Sequence, residues 1–249
     1  MVWMLWALAA CSPLMAGEPV PVLVELFTSE GCSSCPPADA FLRELHRTQP
    51  VDGVQAIVLS EHVDYWDGSG WKDPFSSELW SKRQSWYSMR WPTKVYTPQM
   101  IIDGIEEMIG SDERYARAVM REEARKPKGR VRVLTALGEG GVGLRVEATG
   151  LPKGGPAQVR VAIVEDGLET EVSRGENQGM TLVHDGVVRL LAEIGETEAG
   201  AAEFHGTAGL SLEPGWDRER LRAVVFLQDS ATRRVIAVSS ERLTVSREP

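Results

Sequence analysis

Two near-continuous apolar runs, at 21–27 and 54–60, have the pattern of strands covered on both faces. Between them Ala38, Phe41, Leu42 and Leu45 fall at i, i+3, i+4 and i+7. That stripe predicts an amphipathic helix, with Pro36 and Pro37 tolerated because they lie in its first turn. A long aromatic loop follows from 61 to 72. Asp73 and Pro74 then have the form of a helix N-cap with Pro at the first helical position, and this helix is expected to bury Phe75, Leu79 and Trp86. Apolar runs at 95–102 and 105–109 flank Asp103-Gly104, a strong hairpin dipeptide. Residues 110–112 open a further helix that reaches about Arg125 and turns Tyr115, Val119 and Met120 inward.

The pattern changes after the polar break at 126–129. Runs at 130–137, 142–149, 158–165, 187–194, 202–212, 221–228 and 235–243 alternate with a period of two and are separated by turn residues. No helical period lies between them, which predicts an antiparallel, sandwich-like all-β domain. The expected organisation is therefore a leader at 1–17, an α/β domain at 20–127 and an all-β accessory domain at 130–247.

Composition is that of an ordinary globular chain, with 43% apolar and 25% charged residues. The formal net charge of -9 and the lack of any Lys/Arg cluster argue against a nucleic-acid partner. The uncharged, apolar first 16 residues are too short to span a membrane and fit an export signal, which predicts a periplasmic or secreted protein. Residues 8–11 (LAAC) have the form of a lipobox, which would place a lipid on Cys11 and make that lipid the chain's one contact with a membrane. Cleavage after Ala16 instead would discard Cys11. Both readings leave one cysteine pair from the three cysteines present.

That pair is Cys32-Ser33-Ser34-Cys35, placed after a strand and at the start of a helix. The partial positive charge of a helix N-terminus favours the thiolate, the reactive form of cysteine. Cys32 is the candidate nucleophile and Cys35 the resolving thiol, with Ser33 and Ser34 as hydrogen-bond donors to the sulfur. A tetrahedral zinc site needs four ligands, and no second C-x-x-C or His pair completes one. No metal or other cofactor is expected beyond the redox-active disulfide itself. His62 and Asp64 follow the second strand; His62 would either lower the Cys32 pKa or join the sulfurs as a copper ligand, while both residues also read as pins of the loop. Trp66 and Trp71 are candidate rim residues for an unfolded or disulfide-bearing protein.

The order strand, C-x-x-C helix, strand, helix, X-Pro strand, hairpin and helix resembles the thioredoxin fold. In that fold a cis-proline faces the C-x-x-C, and Thr97-Pro98 stands in its place. The resemblance implies that Pro98 and Thr97 shape a groove where a substrate peptide pairs as a strand. It also implies a buried carboxylate on the first strand as proton acceptor; Glu25 is the candidate, one residue off the usual spacing. Over residues 20–245 the chain resembles an uncharacterised family of secreted bacterial proteins with a thioredoxin-like domain followed by a β domain. Residues 25–29, 31–37, 62–66, 70–74, 96–99, 175–177 and 187–189 carry that likeness.

The expected function is an exported thiol–disulfide oxidoreductase, with a protein or peptide disulfide as substrate and a redox protein as partner. The alternatives are a copper-handling protein and a non-catalytic interaction module. The cluster 175–179 (GENQG) reads as a turn, or as a loop that touches the first half of the chain.

Overall fold

A computed structural model describes residues 17–91 and 94–243. The expected leader and Cys11 lie outside the described residues. Three α-helices and thirteen strands are present among them: β1 (Val20–Thr28), α1 (Pro36–Thr48), β2 (Val54–His62), α2 (Glu78–Ser88), β3 (Gln99–Ile102), β4 (Glu106–Ile109), α3 (Glu113–Glu123), β5 (Arg130–Leu137), β6 (Gly141–Thr149), β7 (Ala157–Glu165), β8 (Leu168–Glu171), β9 (Thr181–His184), β10 (Val187–Thr197), β11 (Glu203–Ser211), β12 (Leu221–Asp229) and β13 (Val235–Arg242).

The sheet overturns the expected fold class of an α/β thioredoxin-like domain followed by a separate all-β domain. Eight strands form one mixed sheet in the order β13-β12-β7-β10-β2-β1-β3-β4, drawn from both halves of the chain. The join is at β10 and β2, which pair in parallel through Val187 and Ser60, with the Ser60 amide donating to Gly186 O at 2.7 Å. Gly186 has φ +69°, and a Cβ there would stand 2.9 Å from Val58 O, so only glycine admits this approach. β10 takes only the Ser60 end of the β2 edge, so the join rests on this one bridge and on the shared core beside it. A three-stranded sheet, β11-β6-β5, and the β8-β9 hairpin complete the strands.

Alternation along each strand sorts the core. Val22, Val24 and Leu26 of β1 face α1 and α3, where they meet Ala38, Phe41, Leu42, Leu45 and Met120. Leu23 and Phe27 face the other side, toward α2, and join Ala162, Val164, Val224 and Phe226 from the later strands. Residues of opposite parity on β7 and β12, such as Val161 and Val225, pack under the three-stranded sheet. The two halves thus share a core as well as a sheet. Each fully buried Leu or Phe contributes about 1.5–3 kcal/mol, and this burial outweighs the composition break at 126–129. The sheet also curls: the amide of Val235, at the start of β13, donates to Asp103 O in the β3–β4 turn at 2.9 Å.

The hairpin expected at Asp103-Gly104 forms, with both residues at positive φ. The α1 stripe is buried as the spacing predicts. The second helix differs. Its N-cap is Ser77, whose hydroxyl accepts from the Leu79 amide at 3.2 Å, while Leu79 itself is 61% exposed. The inward residues are Trp80, Arg83, Gln84 and Tyr87. Polar side chains face inward here because they have buried polar partners on the sheet, Glu25 and Glu61 for Arg83 and Gln99 for Gln84.

Candidate functional site

Cys32 and Cys35 form a disulfide at the N-terminus of α1, with Cys35 as the N-cap. The Cys35 carbonyl accepts from the amides of Ala38 and Asp39 at 2.9 and 3.1 Å, which starts the helix on the second sulfur-bearing residue. Cys32 is 1% exposed and Cys35 fully buried. Ser34 Oγ lies 3.3 Å from Cys32 Sγ and donates to Thr97 O at 3.5 Å. The Thr97–Pro98 peptide bond is cis, and the Pro98 carbonyl accepts from the Gly110 amide at 2.9 Å. Thr97, Pro98 and Ser34 therefore stand together beside the sulfurs.

The two candidate rim tryptophans are tied down. Trp66 Nε1 donates to Thr97 Oγ1 at 2.8 Å, and Trp71 Nε1 donates to Glu30 Oε2 at 2.8 Å; both rings are half-buried. Asp64 pins the loop to α2, accepting from Ser81 Oγ at 2.5 Å. Ser33 points its amide outward to Glu176 Oε2 at 3.1 Å.

Glu176 belongs to a strap, 173–179, between β8 and β9. Asn177 is buried in it and donates from Nδ2 to Glu30 O at 2.8 Å and to Cys32 O at 3.0 Å. Gly175, at φ +80°, passes so close to Trp71 that a Cβ would lie 3.1 Å from the Trp71 Cβ. The loop expected to touch the first half of the chain thus lies against the cysteine motif.

Beside the motif is a buried polar chamber that the sequence did not announce. Asp39 of α1, Thr28 of β1, His62 of β2 and His184 of β9 meet there, with Glu30 and Asp73 behind them. His62 Nδ1 is 2.7 Å from Asp73 Oδ2, His184 Nε2 is 3.3 Å from Glu30 Oε1, and the imidazole centroids are 4.7 Å apart. Burial alone would push the His62 pKa down, but the Asp73 carboxylate outweighs it and the net shift is upward. Asp73 moves the other way: its burial is overcome by His62 and by the amides of Glu30 and Phe75. His62 Nε2 and His184 Nδ1 are buried without a hydrogen-bond partner, and the Asp39 carboxylate has only the Thr28 hydroxyl beside it. Burial holds the Asp39 carboxyl above the ordinary carboxylate range, against the pull of His184 and His62. Asp73 is therefore no helix cap, and His62 is committed to it. Among the described residues, no group of three or more His, Cys, Asp or Glu is placed to hold a metal ion.

Glu25 lies on the opposite sheet face. It has the parity of Leu23 and Phe27, so its side chain points away from α1, toward α2. Arg83 Nε donates to Glu25 Oε1 at 2.7 Å and Tyr87 Oη donates to Glu25 Oε2 at 2.6 Å. Glu61, of the same parity on β2, lies 3.2 Å from Arg83 Nε. Desolvation and the neighbouring Glu25 push the Glu61 pKa well up, despite Arg83. This network corrects the expectation for Glu25: it is the counter-charge of a buried arginine and has no path to Cys35 on that face. Asp39, a polar residue within the apolar stripe of α1, was the available signal for a carboxylate on the correct side.

The family model described as a protein of unknown function (DUF1223) matches residues 23–228. The chain belongs to this family. Among solved structures, a structural-genomics target protein from Agrobacterium tumefaciens is similar at 26% identity, covering 94% of this chain and 99% of that one, with a TM-score of 0.70. HBP35 of Porphyromonas gingivalis shares the fold at 12% identity, covering 94% of this chain and 81% of that one, with a TM-score of 0.67. No curated protein matches significantly. The family thus supplies the fold, and any chemistry has to be argued from the residues. No helix among the described residues is long and apolar enough to cross a membrane.

Proposed function

We propose that this family member is an exported thiol–disulfide oxidoreductase acting on protein disulfides in the periplasm or outside the cell. One observation carries the reading: the Cys32–Cys35 disulfide caps a helix and lies beside Thr97 and Pro98, with a serine hydroxyl on Cys32 Sγ. In the reduced chain the helix N-terminus and Ser34 stabilise a Cys32 thiolate. That thiolate attacks a substrate disulfide, and Cys35 then resolves the mixed disulfide. In the oxidising direction the same steps run in reverse. Access requires the 173–179 strap to yield, because it covers Cys32. The full chain is expected to reduce insulin with a thiol donor, and Cys32→Ser to abolish that rate; a wild-type rate equal to the Cys32→Ser control would sink the reading.

The burial of both cysteines favours a second reading, in which the disulfide only fixes the turn ahead of α1 in a non-catalytic interaction module. A bridge closing so few residues contributes little stability. Under this reading mild thiols leave the disulfide intact in the folded chain, which a timed alkylation assay measures.

A further inference from the structure

We propose that Asp39 is the proton acceptor for Cys35 when Cys35 resolves the mixed disulfide, and that the polar chamber around it serves that proton. The inference rests on the thiol–disulfide reading above and assigns it a further residue. Cys35 is fully buried, so its thiol cannot hand its proton directly to solvent. It cannot attack without a base. Asp39 is one helical turn along from Cys35, its amide bonded to the Cys35 carbonyl at 3.1 Å, and side chains at i and i+4 share one face. Asp39 is also buried, and its carboxylate has only the Thr28 hydroxyl beside it as a partner.

Such an arrangement is costly unless it is used. An unsatisfied buried polar group costs about 1–3 kcal/mol, and here several converge on one place. The groups facing Asp39 are His62 from β2, His184 from β9, Thr28 from β1 and Asp73 from the loop ahead of α2, with Arg43 one turn further along α1. His184 Nδ1, buried and without a hydrogen-bond partner, gives that proton somewhere to go next, while His62 stays paired with Asp73. Burial keeps the Asp39 carboxyl a better base than an exposed aspartate, which is what acceptance from a thiol demands.

The reducing direction starts from the mixed disulfide. Cys32 is already joined to one substrate sulfur. The Cys35 S–H bond breaks and its proton passes to the Asp39 carboxylate. The Cys35 sulfur forms a bond to Cys32 Sγ, the bond from Cys32 to substrate breaks, and the substrate sulfur leaves with the electron pair as a thiolate. The protein dithiol is oxidised by two electrons and the substrate disulfide is reduced by two. Asp39 later returns its proton to solvent.

Glutathione disulfide serves as probe on the full chain. Cys35→Ala is expected to accumulate the Cys32–glutathione adduct, seen by mass, and adding Asp39→Asn to it leaves the rate of adduct formation unchanged. With Cys35 present, Asp39→Asn is expected to slow adduct decay roughly 10-fold or more at pH 7, the loss closing as the pH rises past the thiol range. Decay at the wild-type rate and with the wild-type pH profile overturns the assignment of Asp39. No adduct on Cys35→Ala overturns the exchange reading itself, and Asp39 with it. Should Asp39→Asn fail to fold, Asp39→Glu decides: adduct formation as in the wild type with a changed rate and pH profile of adduct decay supports the proposal, and an unchanged decay profile overturns it.

Discussion

Asn177 donates from its side-chain amide to the carbonyl of Cys32 at 3.0 Å, reaching across 145 residues of chain. The same amide reaches Glu30 O, so one side chain holds the strap over the cysteine motif. Asn177→Ala leaves both carbonyls short of a donor and is expected to cost about 1–3 kcal/mol in urea unfolding. It should also hasten alkylation of Cys32 by iodoacetamide in the reduced chain. An unchanged alkylation rate would show that the strap does not control access.

Glu61 gives a pH dependence of definite sign. The unfolded chain releases this proton near 4.5 and the folded chain well above it. Between those values the unfolded state gains as the pH rises, so the fold loses stability across that window. Glu61→Gln removes the loss. Its urea midpoint is expected to exceed that of the wild type at pH 7 and to converge with it toward pH 4.5. Parallel midpoints at all pH values would refute the assignment.

The His62–Asp73 pair has the opposite dependence. His62 is raised above 6.5 in the fold, so its contribution is complete below 6.5 and fades as the pH climbs through the raised value. Asp73 is lowered from 3.8, so its contribution is present above 3.8 and fades as the pH falls through the lowered value. Asp73→Asn is expected to cost about 3–5 kcal/mol between those limits, as breaking a buried ion pair does. Thermal unfolding should show the deficit shrinking in more alkaline buffer. A deficit that grows there contradicts the pairing.

Gly110 separates α1 from the cis-proline segment. A Cβ at this position would lie 3.0 Å from Ala38 Cβ and 3.1 Å from Pro98 Cβ. Gly110→Ala is therefore expected to push the two apart, to cost about 1–3 kcal/mol, and to lower insulin reduction more than stability alone explains. Full activity in a folded Gly110→Ala chain would show that the spacing between Pro98 and α1 is not critical.

Local chemistry was legible where one residue decides it. Asp103 and Gly104 announced their turn, the stripe Ala38, Phe41, Leu42 and Leu45 announced α1, and the 175–179 glycines marked a turn whose contact with the first half was only one of two readings. The long-range joins were not. The pairing of Val187 with Ser60 is set by a single bridge and a glycine, and period-two alternation says nothing about which sheet a strand enters. Glu25 was misplaced because one position along a strand reverses the face. Arg83 and Gln84 were missed on α2 because an inward polar residue is recognisable only once its partner across the sheet is known. His184 lies 122 positions from His62, and only the fold brings the two rings edge to face.

The bridge between Ser60 and Val187 also bears on how this protein is handled in the laboratory. A fragment ending at residue 127 would leave Ile57 and Leu59 without the later-strand side chains that cover them, and recombinant half-chains should precipitate. Activity assays, partner screens and crystallisation all call for the intact polypeptide, since neither portion can close its own sheet.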